Sequence, residues 1–80
     1  MEETKLTVEE TLQKIDECIQ SAFKQIENAH KLSDNIKDSD LESSYEVTKF
    51  YAMRVHLNKA WLELERASEN REALYKRKFN

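Results

Sequence analysis

Along the first half of the chain apolar residues recur at Val8, Leu12, Ile15, Ile19, Ala22, Ile26, Ala29 and Ile36, in alternating steps of four and three, with Ser33 at the one polar position of the series. That spacing lines one helix face and makes a heptad seam, with Leu12, Ile19 and Ile26 in one row and Ile15, Ala22 and Ala29 in the other. The small Ala22 and Ala29 allow a second helix to approach closely. Cys18, Phe23 and Leu32 flank the seam and widen it beyond a two-stranded zipper, which suits a bundle. Thr7-Val8-Glu9-Glu10 has the form of a capping box, so the first helix is expected over about residues 8–36.

The stretch Ser33-Asp34-Asn35-Ile36-Lys37-Asp38 is polar and weak in helix propensity, and Ser39-Asp40-Leu41-Glu42 repeats the capping-box pattern. One turn over about 33–39 is therefore expected, with Asn35 as its left-handed residue. A second helix, about 40–78, ends on Lys76-Arg77-Lys78, cations that suit the negative end of a helix dipole. The two helices reach about 45 and 58 Å at 1.5 Å per residue, so the second must overhang or bend when they pack antiparallel. It carries two stripes. Phe50, Met53, Leu57, Ala60, Trp61, Leu64, Ala67 and Leu74 are expected to face the first helix. Tyr45, Thr48, Ala52, Val55, Lys59, Leu62 and Arg66 lie about 140° to 180° around the axis, where a hairpin cannot bury them. Tyr45, Ala52, Val55 and Leu62 are accordingly expected to meet another subunit, in a four-helix dimer or a higher ring.

Composition narrows the classes. The 80 residues include no Gly and no Pro, where average usage would supply about ten in a chain of this length. Phosphate loops of the Walker A type, the Rossmann turn and the EF-hand all need glycine, and tight β-hairpins lose their usual turn residues, so these are excluded or disfavoured. The expected fold is all-α: one domain over 1–80, a two-helix antiparallel hairpin assembling into a homo-oligomeric helical bundle. A chain this short buries only about 60% of its unfolded surface, and Cys18, the one cysteine, can make neither an internal disulfide nor a cysteine zinc site. Oligomerisation is the expected remedy. The opening MEETKL lacks a basic segment followed by an apolar one, and no run approaches about 18 apolar residues, so a soluble cytoplasmic chain without membrane contact is expected.

The net charge of −3 divides unevenly, −7 over residues 1–47 and +4 over residues 48–80. Antiparallel pairing would match the two halves edge to edge; an anion site on the basic half is the alternative. Glu27-Asn28-Ala29-His30 has the Glu-x-x-His spacing of di-iron bundles, but the inward Glu partners such a centre needs are not evident among Glu63 and Glu65, so His30 and His56 are taken as structural and no metal or cofactor is expected. Cys18, beside Glu17, is taken as a packing residue. No nucleophile sits beside a base at a recognisable spacing, so catalysis is not expected. Lys59, Arg66 and Asn70 form a line on the second stripe, where Arg66 and Asn70, four residues apart, could grip a phosphate or base edge while Tyr45 and Val55 supply apolar surface. The alternative for Lys59 and Arg66 is an inter-subunit salt bridge. Duplex nucleic acid is disfavoured, because the acidic first helix would repel its backbone.

Residues 51–67, YAMRVHLNKAWLELERA, carry a His56-Leu57-Asn58 step, small Ala60, Trp61, Leu64 and the Arg66-Ala67 pair. Together with the looser Leu6-Thr7-Val8-Glu9-Glu10, this segment resembles the hairpin helices of small phage proteins that sequester cyclic oligonucleotide signals in anti-CBASS and anti-Thoeris defence. The resemblance implies hairpins that assemble and bind a cyclic oligonucleotide between subunits without cleaving it, with Arg66 and Asn70 at the ligand and the host cytoplasm as location. The glycine, tyrosine and arginine run that precedes the first helix in such sponges is absent here, which turns the expectation from cyclic dinucleotides toward a larger cyclic species. The alternative function is a protein-interaction module, a helical inhibitor, adaptor or secretion-type chaperone, engaging a host protein through the second helix.

Overall fold

The computed structural model describes residues 6–79, and the ends of the expected 1–80 domain, residues 1–5 and 80, lie outside the described residues. Two long helices, α1 (Val8–Ser33) and α2 (Ser44–Phe79), pack antiparallel, joined by a segment containing one short 3₁₀ turn, Asp38–Asp40. Among the described residues there is no strand. The all-α two-helix expectation therefore holds at the level of the hairpin.

α1 starts where its cap dictates. The Glu10 amide donates to the Thr7 hydroxyl and the Thr7 amide donates to the Glu10 carboxylate, each at 3.1 Å, so two of the orphan donors of the first turn are satisfied reciprocally. The Thr7 backbone amide, and secondarily its hydroxyl, hold the Glu10 carboxyl below its ordinary pKa. α1 ends earlier than expected, at Ser33 instead of about residue 36. The Ser33 hydroxyl donates to the His30 carbonyl at 2.7 Å, and the Asn35 and Ile36 amides donate to the Leu32 and Ser33 carbonyls, tightening the last turn.

The connection differs from its expectation in three ways. Asn35 is not left-handed, and no described residue has positive φ. The longer link of residues 34–43 spreads the reversal over a 3₁₀ turn, so no single residue has to take it alone. The expected box at Ser39 to Glu42 does not form either: the Lys37 amide donates to the Asp40 carboxylate at 2.8 Å, which closes the 3₁₀ turn. α2 begins at Ser44, about four residues late, capped by Ser43, whose hydroxyl accepts from the Glu46 amide at 3.2 Å and donates to the Glu46 carboxylate at 3.3 Å. The 26 and 36 residues of the helices correspond to about 39 and 54 Å. The extra length of α2 lies at the loop end, where the link runs beside it and the Tyr51 hydroxyl donates to Asp38 at 3.3 Å.

The buried apolar residues are Leu12, Ile19 and Phe50, at 6%, 8% and 9% exposure, joined by the polar Ser33. Around them α1 turns Asp16, Phe23, Ile26 and His30 toward α2, while Ile15, assigned from the sequence to the seam, stands 43% exposed and Cys18 is exposed instead of packed. On α2 the inward line runs through Phe50, Arg54, Leu57, Trp61, Leu64, Ser68, Arg71 and Tyr75, whereas Met53, Ala60, Ala67 and Leu74, expected inward, are exposed. The Phe23 and Trp61 rings, with centroids 4.6 Å apart, account for the rotation. Pairing the largest side chain of each helix buries more apolar area than centring the helices on Ile15 and the alanines would.

Candidate functional site

The hairpin has two unlike flanks and an outer face. On the first flank Gln20, Phe23, Lys24, Glu27 and Trp61 line an open groove of about 630 Å³. Next along, Gln13, Asp16, Glu17, Arg71 and Tyr75 line one of about 350 Å³. The polar tips here are largely answered within the chain. The Trp61 indole N–H donates to Glu65 at 2.9 Å and the Tyr75 hydroxyl donates to Glu9 at 2.9 Å. The hydrogen bond to Glu9, with some desolvation, raises the Tyr75 phenol above its ordinary pKa. Arg71 reaches Asp16 at 3.6 Å, its Nε buried with no hydrogen bond, and Arg54 reaches Asp34 at 3.5 Å. These pairs join an acid of the first half to a cation of the second, the edge-to-edge matching that the charge division suggested. The individual partners were not picked out from the sequence, because Asp16 and Arg71 lie outside the apolar series read there.

The second flank is apolar. Thr11, Ile15, Cys18, Ile19, Ala22 and Leu64 line an open groove of about 350 Å³, with Lys14 at its rim. The α1 row that builds this flank, Val8, Thr11, Ile15, Cys18, Ala22, Gln25, Ala29 and Leu32, contains no charged residue. On α2, Ala60 and Ala67 stand four before and three after Leu64, on the side of its row away from Trp61, and the same heptad step places Met53 and Leu74 in line with them. The apolar flank therefore runs along most of the hairpin, carried by both helices.

The outer face of α2 carries Tyr45, Thr48, Ala52, Val55, Lys59, Leu62 and Arg66, all exposed, as expected for a stripe the hairpin cannot cover. Lys59, Arg66 and Asn70 share this convex side, and none of them lines any of the three grooves. An acid stands beside the line: Glu63, one turn before Arg66, takes its guanidinium at 3.2 Å in an exposed pair. The Lys49 ammonium lies 5.4 Å from the centre of the Tyr45 ring. Compared with protein-family models, with curated proteins and with solved structures, the chain matches none.

Glu27 pairs with Lys31 at 3.1 Å, one turn away on the same helix. Among the described residues no group of three or more His, Cys, Asp or Glu side chains gathers into a metal-binding cluster, and no helix is long and apolar enough to cross a membrane.

Proposed function

We propose that the chain is a non-enzymatic, self-associating binding protein that engages a helix of a partner protein along the outer face of α2. The observation that carries this reading is the exposure of Tyr45, Val55 and Leu62 beside Lys59 and Arg66 on a convex helix face. An amphipathic helix laid along such a face meets apolar anchors at helical spacing and cations for its acidic edge. Self-association is supported by the seam, where among the described residues only three apolar side chains are buried, a small core for a chain of 80 residues. Capture of a partner by the intact chain, and its loss in Leu62→Glu with helix content unchanged by circular dichroism, is the expected outcome. Equal capture by both would overturn the reading.

A second reading, sequestration of an anionic cyclic oligonucleotide in host cytoplasm, is favoured by the alignment of Lys59, Arg66 and Asn70. Glu63 does not block it, because a solvent-exposed pair is worth little and a phosphate can replace the carboxylate. Titration calorimetry against a panel of cyclic oligonucleotides tests it, and no heat with any member would end it. Arg66→Glu separates the two readings: sequestration requires ligand heat to vanish while the oligomer stays intact, whereas a protein-docking face loses its partner.

A further inference from the structure

We propose that a second copy of this chain closes the apolar flank, related by a two-fold axis that runs along the hairpin, so that α1 of each copy lies beside α2 of the other. The proposal rests on the reading of the chain as self-associating and names the face and the arrangement. It moves the subunit contact from the outer stripe of α2, where the sequence placed it, to the side carrying Ile15, Ala22 and Leu64.

Size is the first argument. A strip about 39 Å long and two helices, roughly 20 Å, wide offers about 800 Å² per copy, the share each partner contributes to a stable interface. Shape is the second. Within one copy Phe23 is level with Trp61 and Asp16 with Arg71, and an axis along the hairpin preserves those levels between copies. Cys18 then falls level with Ala67 of the partner subunit, and Ala22 with Leu64 of the partner subunit. The small Ala22 leaves room for Leu64 of the partner subunit, and small residues at Cys18 and Ala67 let the helices approach closely, the condition for two helices to interdigitate.

Charge is the third argument and chooses the axis. Three Lys against five acids give α1 a charge of −2, and eight Lys and Arg against five acids give α2 a charge of +3. An axis across the hairpin would stack α1 on α1 and α2 on α2, like on like. The axis along it sets every helix between two neighbours of opposite sign, all antiparallel, in an up-down-up-down four-helix bundle. The α1 row that the second copy would cover has no charge to desolvate, and Lys14 is the one charged residue lining the groove.

Sedimentation equilibrium of the full chain at micromolar concentration should give twice the chain mass of 9.5 kDa. Ala22→Glu buries an unpaired carboxylate and should weaken the dimer at least about 30-fold, while Leu62→Glu on the outer face leaves it unchanged. A wild-type monomer would overturn self-association as well as its location. A dimer that survives Ala22→Glu, or that Leu62→Glu breaks, would overturn the location alone. Oxidation provides a readout that needs no disruptive variant. Ala67→Cys should form a covalent dimer through Cys18 of the partner subunit, and the wild type should form none. A wild-type dimer joined Cys18 to Cys18, or no covalent dimer in Ala67→Cys, would overturn the arrangement.

Discussion

The two flanks of this hairpin are built by the same two helices over the same length, yet one answers its own chemistry and the other does not. On the charged flank each aromatic with a polar tip finds a carboxylate within the chain, Trp61 on Glu65 and Tyr75 on Glu9, and Arg71 finds Asp16. On the apolar flank Ile15, Met53 and Leu74 stand more than 40% exposed with nothing across from them. A polar flank can be satisfied by water and by its neighbours. An apolar flank is satisfied only by removal from water, which two helices packed on one seam cannot provide for both of their sides.

The largest test of that difference sets seam against flank. Leu12→Ala should cost about 2–4 kcal/mol, because the seam around it has few other apolar groups with which to collapse the cavity. Ile15→Ala, one turn away but outside the seam, should cost less than about 1 kcal/mol at concentrations low enough to hold the chain monomeric. Urea unfolding of both variants gives the comparison directly, and equal losses would mean that the seam has been placed wrongly. The next effect belongs to the flank itself. If a second copy covers it, a 100-fold increase in chain concentration should raise apparent stability by about 2.7 kcal/mol, seen as a rise in thermal midpoint, and Ala22→Glu should abolish the dependence.

Which parts of this arrangement the sequence made legible follows from the range of the interactions involved. The Thr7 cap depends on four consecutive residues and appears where the pattern put it. The helical character of both long segments follows from periodicity and from the absence of glycine and proline. The rotation of the helices about their axes was not legible, because α1 has apolar residues over about half its circumference and several seams satisfy the same spacing. Phe23 meeting Trp61, 38 positions away, decides among them. The cap of α2 was misplaced for a related reason: Ser39 and Ser43 each begin a pattern with an acid three residues on, and the 3₁₀ turn closed by Asp40 takes the first of them out of use. The outer line Lys59, Arg66 and Asn70 was legible as a line, but the pairing of Arg66 with Glu63 was overlooked.

A smaller effect separates the charged flank from the seam beneath it. Asp16→Asn removes the carboxylate opposite Arg71, whose side chain is 17% exposed, and leaves a guanidinium at the helix interface without its counter-charge. The expected loss is about 1 kcal/mol, well short of a fully buried pair because Asp16 is 40% exposed. Since the Debye length falls to about 3 Å at 1 M salt, the difference between wild type and Asp16→Asn should shrink as salt is added. A salt-independent loss would assign the role of Asp16 to packing.

The smallest effect lies at the end of the hairpin that both flanks share, and it separates two halves of one cap. Thr7→Ala removes the hydroxyl that accepts from the Glu10 amide and should cost about 1 kcal/mol at neutral pH. It leaves the backbone amide of residue 7, which is the main reason the Glu10 carboxyl lies below its ordinary pKa. A carboxyl whose pKa is depressed in the folded state contributes stability above its unfolded value, near 4.5 for Glu10, and loses it as pH falls through the lower folded value. Wild type and Thr7→Ala should therefore lose stability along similar acid limbs, offset by the lost hydroxyl, when melts are followed by circular dichroism from about pH 6 to about pH 3. Glu10→Gln, which keeps an acceptor but cannot titrate, should flatten that limb. If instead Thr7→Ala flattens it as fully as Glu10→Gln does, the hydroxyl and not the backbone amide holds the carboxylate, and the order of the two causes is reversed.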